Sequence, residues 1–127
     1  MYGYHFVFIT KYRKKLISPA IEIKLYSFMR SKSKQLGLTV IAINGLADHV
    51  HLYVQSQEIL DTSKVAAILK GSSSHYIRRN FPKLNFIEHF WSKSYHVAPV
   101  FTGKDKALVC YIQRQKNTAN LDRVFLP

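Results

Sequence analysis

Leu46-Ala47-Asp48-His49-Val50-His51-Leu52-Tyr53-Val54 carries alternating side-chain character from His49 onward, the two-residue period of a β-strand. Val50, Leu52 and Val54 share one face, suited to packing against helices. His49 and His51 share the other, with both imidazoles projecting together. Two neutral imidazoles side by side are half of a metal site. The stretch therefore asks for a sheet with one packed face and one face available for chemistry.

The flanking sequence supplies the rest of that sheet. Leu38 to Ile43 reads as the strand before it, Asn44-Gly45 as the turn lengthened by Leu46-Ala47-Asp48, and His49 to Gln55 as the return strand. Upstream, Tyr4 to Thr10 is apolar, aromatic and β-branched, a strand buried on both faces. A basic, exposed exit follows at Lys11 to Lys15. Ser18-Pro19 pairs an N-cap with a proline at the first helical position. Ile21, Leu25, Phe28 and Met29 then repeat at helical spacing to about Leu36, with Gly37 as C-cap residue.

Downstream, Asp61 or Thr62 caps a second helix through Val65, Ile68, Leu69, Tyr76 and Ile77, ending before Pro82. Gly71 and Ser72 to Ser74 interrupt its pattern. Phe86 to Trp91 fits neither period, and Ser94 to Phe101 reads as a fourth strand bent at Pro99. Thr102-Gly103-Lys104-Asp105 turns into a third helix over about Lys106 to Lys116. The order is β-α-β-β-α-β and then a helix. That is the split-βαβ arrangement of ferredoxin-like and RRM-like α+β domains, an antiparallel sheet with two helices on one face. The hairpin puts His49 and His51 mid-sheet, where the last helix can cross the other face and meet them. No repeat or linker divides the chain, so 1–127 is expected to be a single domain.

Composition bounds the partners. Nineteen Lys+Arg against seven Asp+Glu give net charge +12, an electrostatic footprint for a polyanion, nucleic acid before others. Clusters fall at Lys11 to Lys15, Arg30 to Lys34 and Arg78-Arg79, and Lys11, Arg13, Lys70, Arg78, Arg79 and Arg114 are candidate phosphate contacts. A solvated helix face explains Lys70 and Arg78-Arg79 about as well. The single Cys110 excludes an intramolecular disulfide and a cysteine zinc cluster, and its apolar neighbours suggest a buried thiol. No apolar stretch reaches a membrane span and no signal-peptide pattern is present, which reads as a soluble cytoplasmic protein, at the nucleoid when bound to DNA.

Chemistry enters through Tyr111-Ile112-Gln113-Arg114-Gln115. Tyr111 and Gln115 are one helical turn apart and share a face, so Gln115 can offer an amide oxygen beside the histidines while Tyr111 stands near. Gln113 points away from the tyrosine's face and loses that role. Asp48 alternates with His49, which favours a turn or supporting role over direct ligation. His5, His75, His89 and His96 have no evident partner, Tyr12 and Tyr53 have structural readings, and Trp91 reads as core. Three neutral ligands leave a dication ready for a phosphate, whose charge it would stabilise during displacement. A tyrosine oxygen attacking phosphorus would conserve bond energy in a phosphotyrosine link. Two imidazoles and an amide suit Mn²⁺, Co²⁺, Ni²⁺ or Zn²⁺ by softness, whereas Mg²⁺ prefers oxygen.

On these residues the chain resembles the single-tyrosine HUH transposases, the TnpA-type enzymes of insertion sequences that move as single-stranded DNA. The resemblance runs in order through Tyr4 to Arg13, Asp48 to Leu52, Lys70 to Ser74, Phe90 to Tyr95 and Tyr111 to Gln115. It implies that Tyr111 attacks the scissile phosphate, taking the DNA 5′ end and freeing a 3′-OH. It also implies that His49, His51 and Gln115 hold Mg²⁺ or Mn²⁺, and that homodimers act on single-stranded DNA hairpins at the element's ends. Two other readings remain: an HUH replication-initiation or plasmid-transfer (relaxase-type) nuclease, and a non-catalytic single-stranded nucleic-acid-binding module.

Overall fold

The β-branched and aromatic run at the start of the chain forms β1 (Tyr2–Thr10), which lies inside a four-stranded antiparallel sheet. With β2 (Thr39–Leu46), β3 (His49–Ser56) and β4 (Trp91–Val100), the order across the sheet is β2-β3-β1-β4. Among the described residues three α-helices complete the α+β fold: α1 (Pro19–Gln35), α2 (Thr62–Asn80) and α3 (Lys106–Gln113). The computed structural model describes residues 1–116, and the rest of the expected domain to residue 127 lies outside the described residues. The expected β-α-β-β-α-β succession with a further helix is the one observed. Among the described residues no helix is long and apolar enough to cross a membrane.

Strand alternation divides the sheet into two chemistries. Tyr4, Phe6 and Phe8 of β1 join Val50, Leu52 and Val54 of β3 on the face that receives Ile21, Leu25 and Met29 of α1 and Val65, Leu69 and Ile77 of α2. On the opposite face a smaller cluster of Ala42, Tyr53, Leu108, Tyr111 and Ile112 seats α3. The β1–β3 register pairs His5 with Tyr53, Val7 with His51 and Ile9 with His49, so all three histidines lie under α3.

Local signals fix the helix ends. Ser18 Oγ accepts the Ile21 N–H at 3.3 Å ahead of Pro19. Gly37, at φ 80°, closes α1 with Gly37 N–H on Lys34 C=O (3.0 Å) and Leu38 N–H on Ser33 C=O (2.9 Å). This is the Schellman pattern that a left-handed glycine permits. The polar run in α2 does not break it. Ser72 Oγ donates to Ile68 C=O at 2.5 Å and Ser73 Oγ to Lys70 C=O at 3.2 Å. Ser73 Oγ also receives the indole N–H of the core residue Trp91 at 3.0 Å, so the gap in apolar periodicity is a docking point for β4.

Several boundaries differ from the sequence expectation. The hairpin turns at Ala47-Asp48, closed by the Leu46–His49 pair, while Asn44 and Gly45 lie within β2 opposite His51 and Val50. Gly45 answers to crowding here: a Cβ would sit 2.1 Å from the His49 carbonyl oxygen. Asn44 serves α3 instead, its Nδ2 donating to the Gln113 C=O at 3.2 Å. The fourth strand begins at Trp91 and runs through Pro99 without a break, as an edge strand allows. The third helix ends at Gln113, and Arg114 to Lys116 form a turn. Cys110 is half-buried.

Two glycine substitutions separate these roles. Gly45→Ala is expected to destabilise the protein by at least about 3 kcal/mol, because backbone must move to admit the methyl. Gly71→Ala, with nothing within 4 Å of the added carbon, is expected to stabilise α2 by about 0.5–1 kcal/mol. Denaturant melts of the two variants check both signs.

Candidate active site

His49 opens β3 directly after the turn, and its geometry follows from that position. Its Nδ1–H donates to Asp48 Oδ1 at 2.7 Å, and Asp48 Oδ2 receives the Arg13 Nε–H at 3.3 Å. Burial opposes ionisation of Asp48, but the hydrogen bond and charge of His49 and the charge of Arg13 hold its carboxyl below the ordinary value. A carboxylate only accepts, so His49 carries a proton on Nδ1 toward Asp48, and whenever that is the ring's one proton Nε2 presents a lone pair. Asp48 thus takes the turn-and-support position expected of it.

The second imidazole is oriented by a residue the sequence left without a partner. His51 Nδ1 lies 2.9 Å from His5 Nε2, and the two rings stack with centroids 5.1 Å apart. Burial, then the neighbouring His5 and His49, pushes His51 down to about 3. Burial, then His96, pushes His5 down to about 4. Both rings are therefore neutral near pH 7, and one donates to the other. His51 Nε2, also buried, has no hydrogen-bond partner among the described residues. With the proton on Nδ1 toward His5, that nitrogen is a second lone pair. The signal for His5 was the shared odd-numbered parity of β1 and β3, which becomes readable only with the pairing register.

α3 and its terminal turn bring the other two candidates. The Tyr111 ring meets His51 edge-on with centroids 5.4 Å apart. Gln115, past the helix end, hydrogen-bonds its N–H to the Ile112 C=O at 3.2 Å and is fully buried. Its Oε1 lies 3.0 Å from His49 Nε2, while its Nε2 has no hydrogen-bond partner among the described residues. Gln113 is exposed and takes no part. The four residues chosen from sequence (His49, His51, Tyr111, Gln115) are brought together.

With His49 protonated on both nitrogens, its Nε2 contact is a hydrogen bond to the amide oxygen, whereas with the Nδ1 proton alone two acceptors face each other. A turned amide relieves that second arrangement, as does a cation between the two atoms. At 3.0 Å the two atoms are near enough that both would reach one ion. The donor set, two imidazoles and an amide oxygen with the orphaned His51 Nε2, fits a divalent ion. Among the described residues no cluster of three or more His, Cys, Asp or Glu is placed to hold an ion, so this fit rests on the amide.

The candidate phosphate contacts do not form one patch. Lys11 and Arg13 line a cleft beside β4, with Arg13 tied to Asp48. Lys70 and Arg78 line another with Ser74, His75, His89 and Trp91. There Lys70 Nζ donates to Lys93 C=O at 3.0 Å and Arg78 Nη2 to Glu88 C=O at 2.6 Å. Arg79 is exposed on α2, and Arg114 is exposed beside Gln115.

A sheet carrying a histidine pair beneath a tyrosine-bearing helix, in a strongly basic chain, has the make-up of a DNA strand-processing protein. Residues 1–115 match the family described as "Transposase IS200 like", and the chain belongs to that family. It is 28% identical over 116 residues to the transposase for insertion sequence element IS200 of Salmonella typhimurium, spanning 88% of this chain and 75% of that one. It is 26% identical over 115 residues to the ISDra2 transposase TnpA of Deinococcus radiodurans, spanning 88% and 82%. A crystal structure of a protein assigned as a transposase from Deinococcus radiodurans superposes with a TM-score of 0.72 at 27% identity, over 89% of each chain. A REP-associated tyrosine transposase bound to a REP hairpin shares the fold, with a TM-score of 0.60 at 14% identity, over 98% of this chain and 68% of that one.

The buried neutral pair has a pH signature. Folded-state values of about 4 for His5 and about 3 for His51 lie below the ordinary 6.5, so the unfolded chain binds protons first. Stability is complete above pH 6.5 and falls as pH drops through 4 toward 3. In the presence of chelator the melting temperature is expected to decline between pH 7 and 4, less steeply in His5→Gln. A wild-type midpoint constant across that range would contradict the neutral pair.

Proposed function

We propose that this transposase cleaves and rejoins single-stranded DNA at insertion-sequence ends through a 5′-phosphotyrosine on Tyr111, with Mg²⁺ or Mn²⁺ bound by His49, His51 and Gln115. The observation that carries the reading is the convergence of Tyr111 and Gln115 on the histidine pair, inside a chain of the IS200-like family. Family membership supports a transposase over a replication-initiation nuclease or a passive binding module. The hairpin seen with the REP-associated relative supports a folded single strand as substrate. By the same resemblance the protein acts as a homodimer.

The ion, when bound, supplies polarisation of a phosphoryl oxygen and charge for the transition state. The chain's own residues do the rest. Asp48 accepts the His49 Nδ1 proton, and with His5 Nε2 accepting that of His51 both Nε2 lone pairs are left toward the centre. Tyr111 Oη attacks phosphorus, the P–O3′ bond breaks, and the phenolic proton passes by way of solvent to the departing 3′ oxygen. Attack by a 3′-OH on the phosphotyrosine reverses the balance and releases Tyr111 without an external energy source.

The described arrangement is shut. His49, His51 and Gln115 are fully buried and Tyr111 is 8% exposed, so a phosphate reaches them only if α3 and its turn move. That movement would release the apolar seat of Leu108, Tyr111 and Ile112 together with polar contacts. Asn44 holds the Gln113 carbonyl, Lys116 Nζ holds Asn44 Oδ1 (2.8 Å), the Gly45 carbonyl and Glu22 (3.2 Å), and Tyr53 OH donates to Asp105 at 2.5 Å.

Incubation with hairpin-containing single-stranded DNA and Mn²⁺, then denaturing electrophoresis and peptide mass spectrometry, tests the proposal. An adduct on Tyr111 is expected. Tyr111→Phe should lose at least about 10³-fold in cleavage while hairpin binding stays within about twofold. The His49→Ala/His51→Ala double variant should lose metal-dependent cleavage. An adduct on another residue, or cleavage unchanged in the double variant, would overturn it.

A further inference from the structure

β1 leaves the sheet through a 3₁₀ turn, Lys11–Arg13, in which two successive residues hold left-handed backbone: Tyr12 at φ 58°, ψ 21°, and Arg13 at φ 53°. Non-glycine residues are uncommon there, an aromatic especially so, and such geometry persists where the surroundings impose it. Core packing does not account for the tyrosine, because Tyr12 is 79% exposed. Its ring stands instead among cations, with Lys11 Nζ 5.1 Å and Lys14 Nζ 5.9 Å from the centroid.

Beside the ring opens a cleft of about 330 Å³, lined by Ile9, Thr10, Lys11, Arg13, Ser92 and Ser94. That is the small end of the range for ligand sites, about 300–1,000 Å³. The Ser92 and Ser94 hydroxyls, 3.3 Å apart, add donors and acceptors along β4. Arg13 binds the same Asp48 carboxylate that holds His49, so one residue braces both this cleft and the histidine centre.

We propose that Tyr12 and this cleft form a subsite for one unpaired nucleotide of single-stranded DNA, the base stacking on the phenol ring, the phosphate on Lys11 and Lys14, and the serine hydroxyls meeting the sugar or base edge. The inference rests on the DNA substrate proposed above and adds to it a site and a base-reading contact. A π-face is offered only by an unstacked base, which is why an exposed aromatic beside cations selects single strands over duplex. An acidic peptide would satisfy the ammonium groups but would leave the exposed ring without a stacking partner.

Fluorescence anisotropy with a labelled oligo-dT and a matched duplex, over a salt series, tests this. Tyr12→Phe is expected to keep wild-type affinity. Tyr12→Leu should weaken oligo-dT binding about 5–100-fold, with the salt slope unchanged and duplex binding within twofold. Lys14→Ala should instead lower the salt slope by about 0.7. Tyr12→Asn, whose side chain suits left-handed backbone, should raise the melting temperature while weakening oligo-dT binding, which separates a binding role from a folding one. If wild-type protein binds and both Tyr12→Leu and Tyr12→Asn match it, the subsite is overturned. It is overturned equally if polyglutamate displaces oligo-dT from wild type and from Tyr12→Leu to the same extent. Absence of wild-type binding to oligo-dT and hairpins alike would remove the DNA reading itself.

Discussion

The antiparallel pairing of β1 with β3 is the constraint on which the rest of this molecule depends. Its register, His5 opposite Tyr53 and Ile9 opposite His49, sets Phe6, Phe8, Val50 and Leu52 against α1 and α2. The same register gathers His5, His49 and His51 beneath α3. A slip of one residue would turn the apolar set outward and scatter the imidazoles. Core and chemistry are therefore specified together, and the core's burial holds the polar centre in place.

Holding three imidazoles and an amide in the interior costs solvation, and the molecule meets that cost with hydrogen bonds. Arg13, Asp48 and His49 form one chain, and His5 and His51 another. Each orients a ring so that its Nε2 faces the centre. Two atoms without partners among the described residues, His51 Nε2 and the Gln115 amide nitrogen, lie at the point where the two chains and α3 converge. A buried polar network incomplete at one spot is a place that an additional group would complete. The proposed ion would meet that need, and the closed helix above it would regulate access.

Much of this was legible from residue types and periods. Two-residue alternation placed His49 and His51 on one face, the one-turn spacing placed Gln115 with Tyr111, and Ser18-Pro19 and Asp61 marked helix starts. What the sequence hid was tertiary. His5 matters through a cross-strand register that no local pattern encodes. Asn44-Gly45 carries the chemistry of a tight turn, yet crowding against His49 requires the glycine and the helix end uses the asparagine. The polar Gly71 to Ser74 run weakened the helical signal because Ser73 is committed to Trp91 across the fold. The left-handed backbone at Tyr12 likewise has no signature in a Lys-Tyr-Arg run.

The central claim is that His49, His51 and Gln115 make a cation site beside Tyr111. Pulsed electron paramagnetic resonance of the protein loaded with Mn²⁺ addresses it without DNA or turnover. Nitrogen couplings from two imidazoles are expected, with one lost in His49→Ala and one in His51→Ala. Mn²⁺ spectra without imidazole nitrogen, or couplings that survive in both variants, would contradict the account.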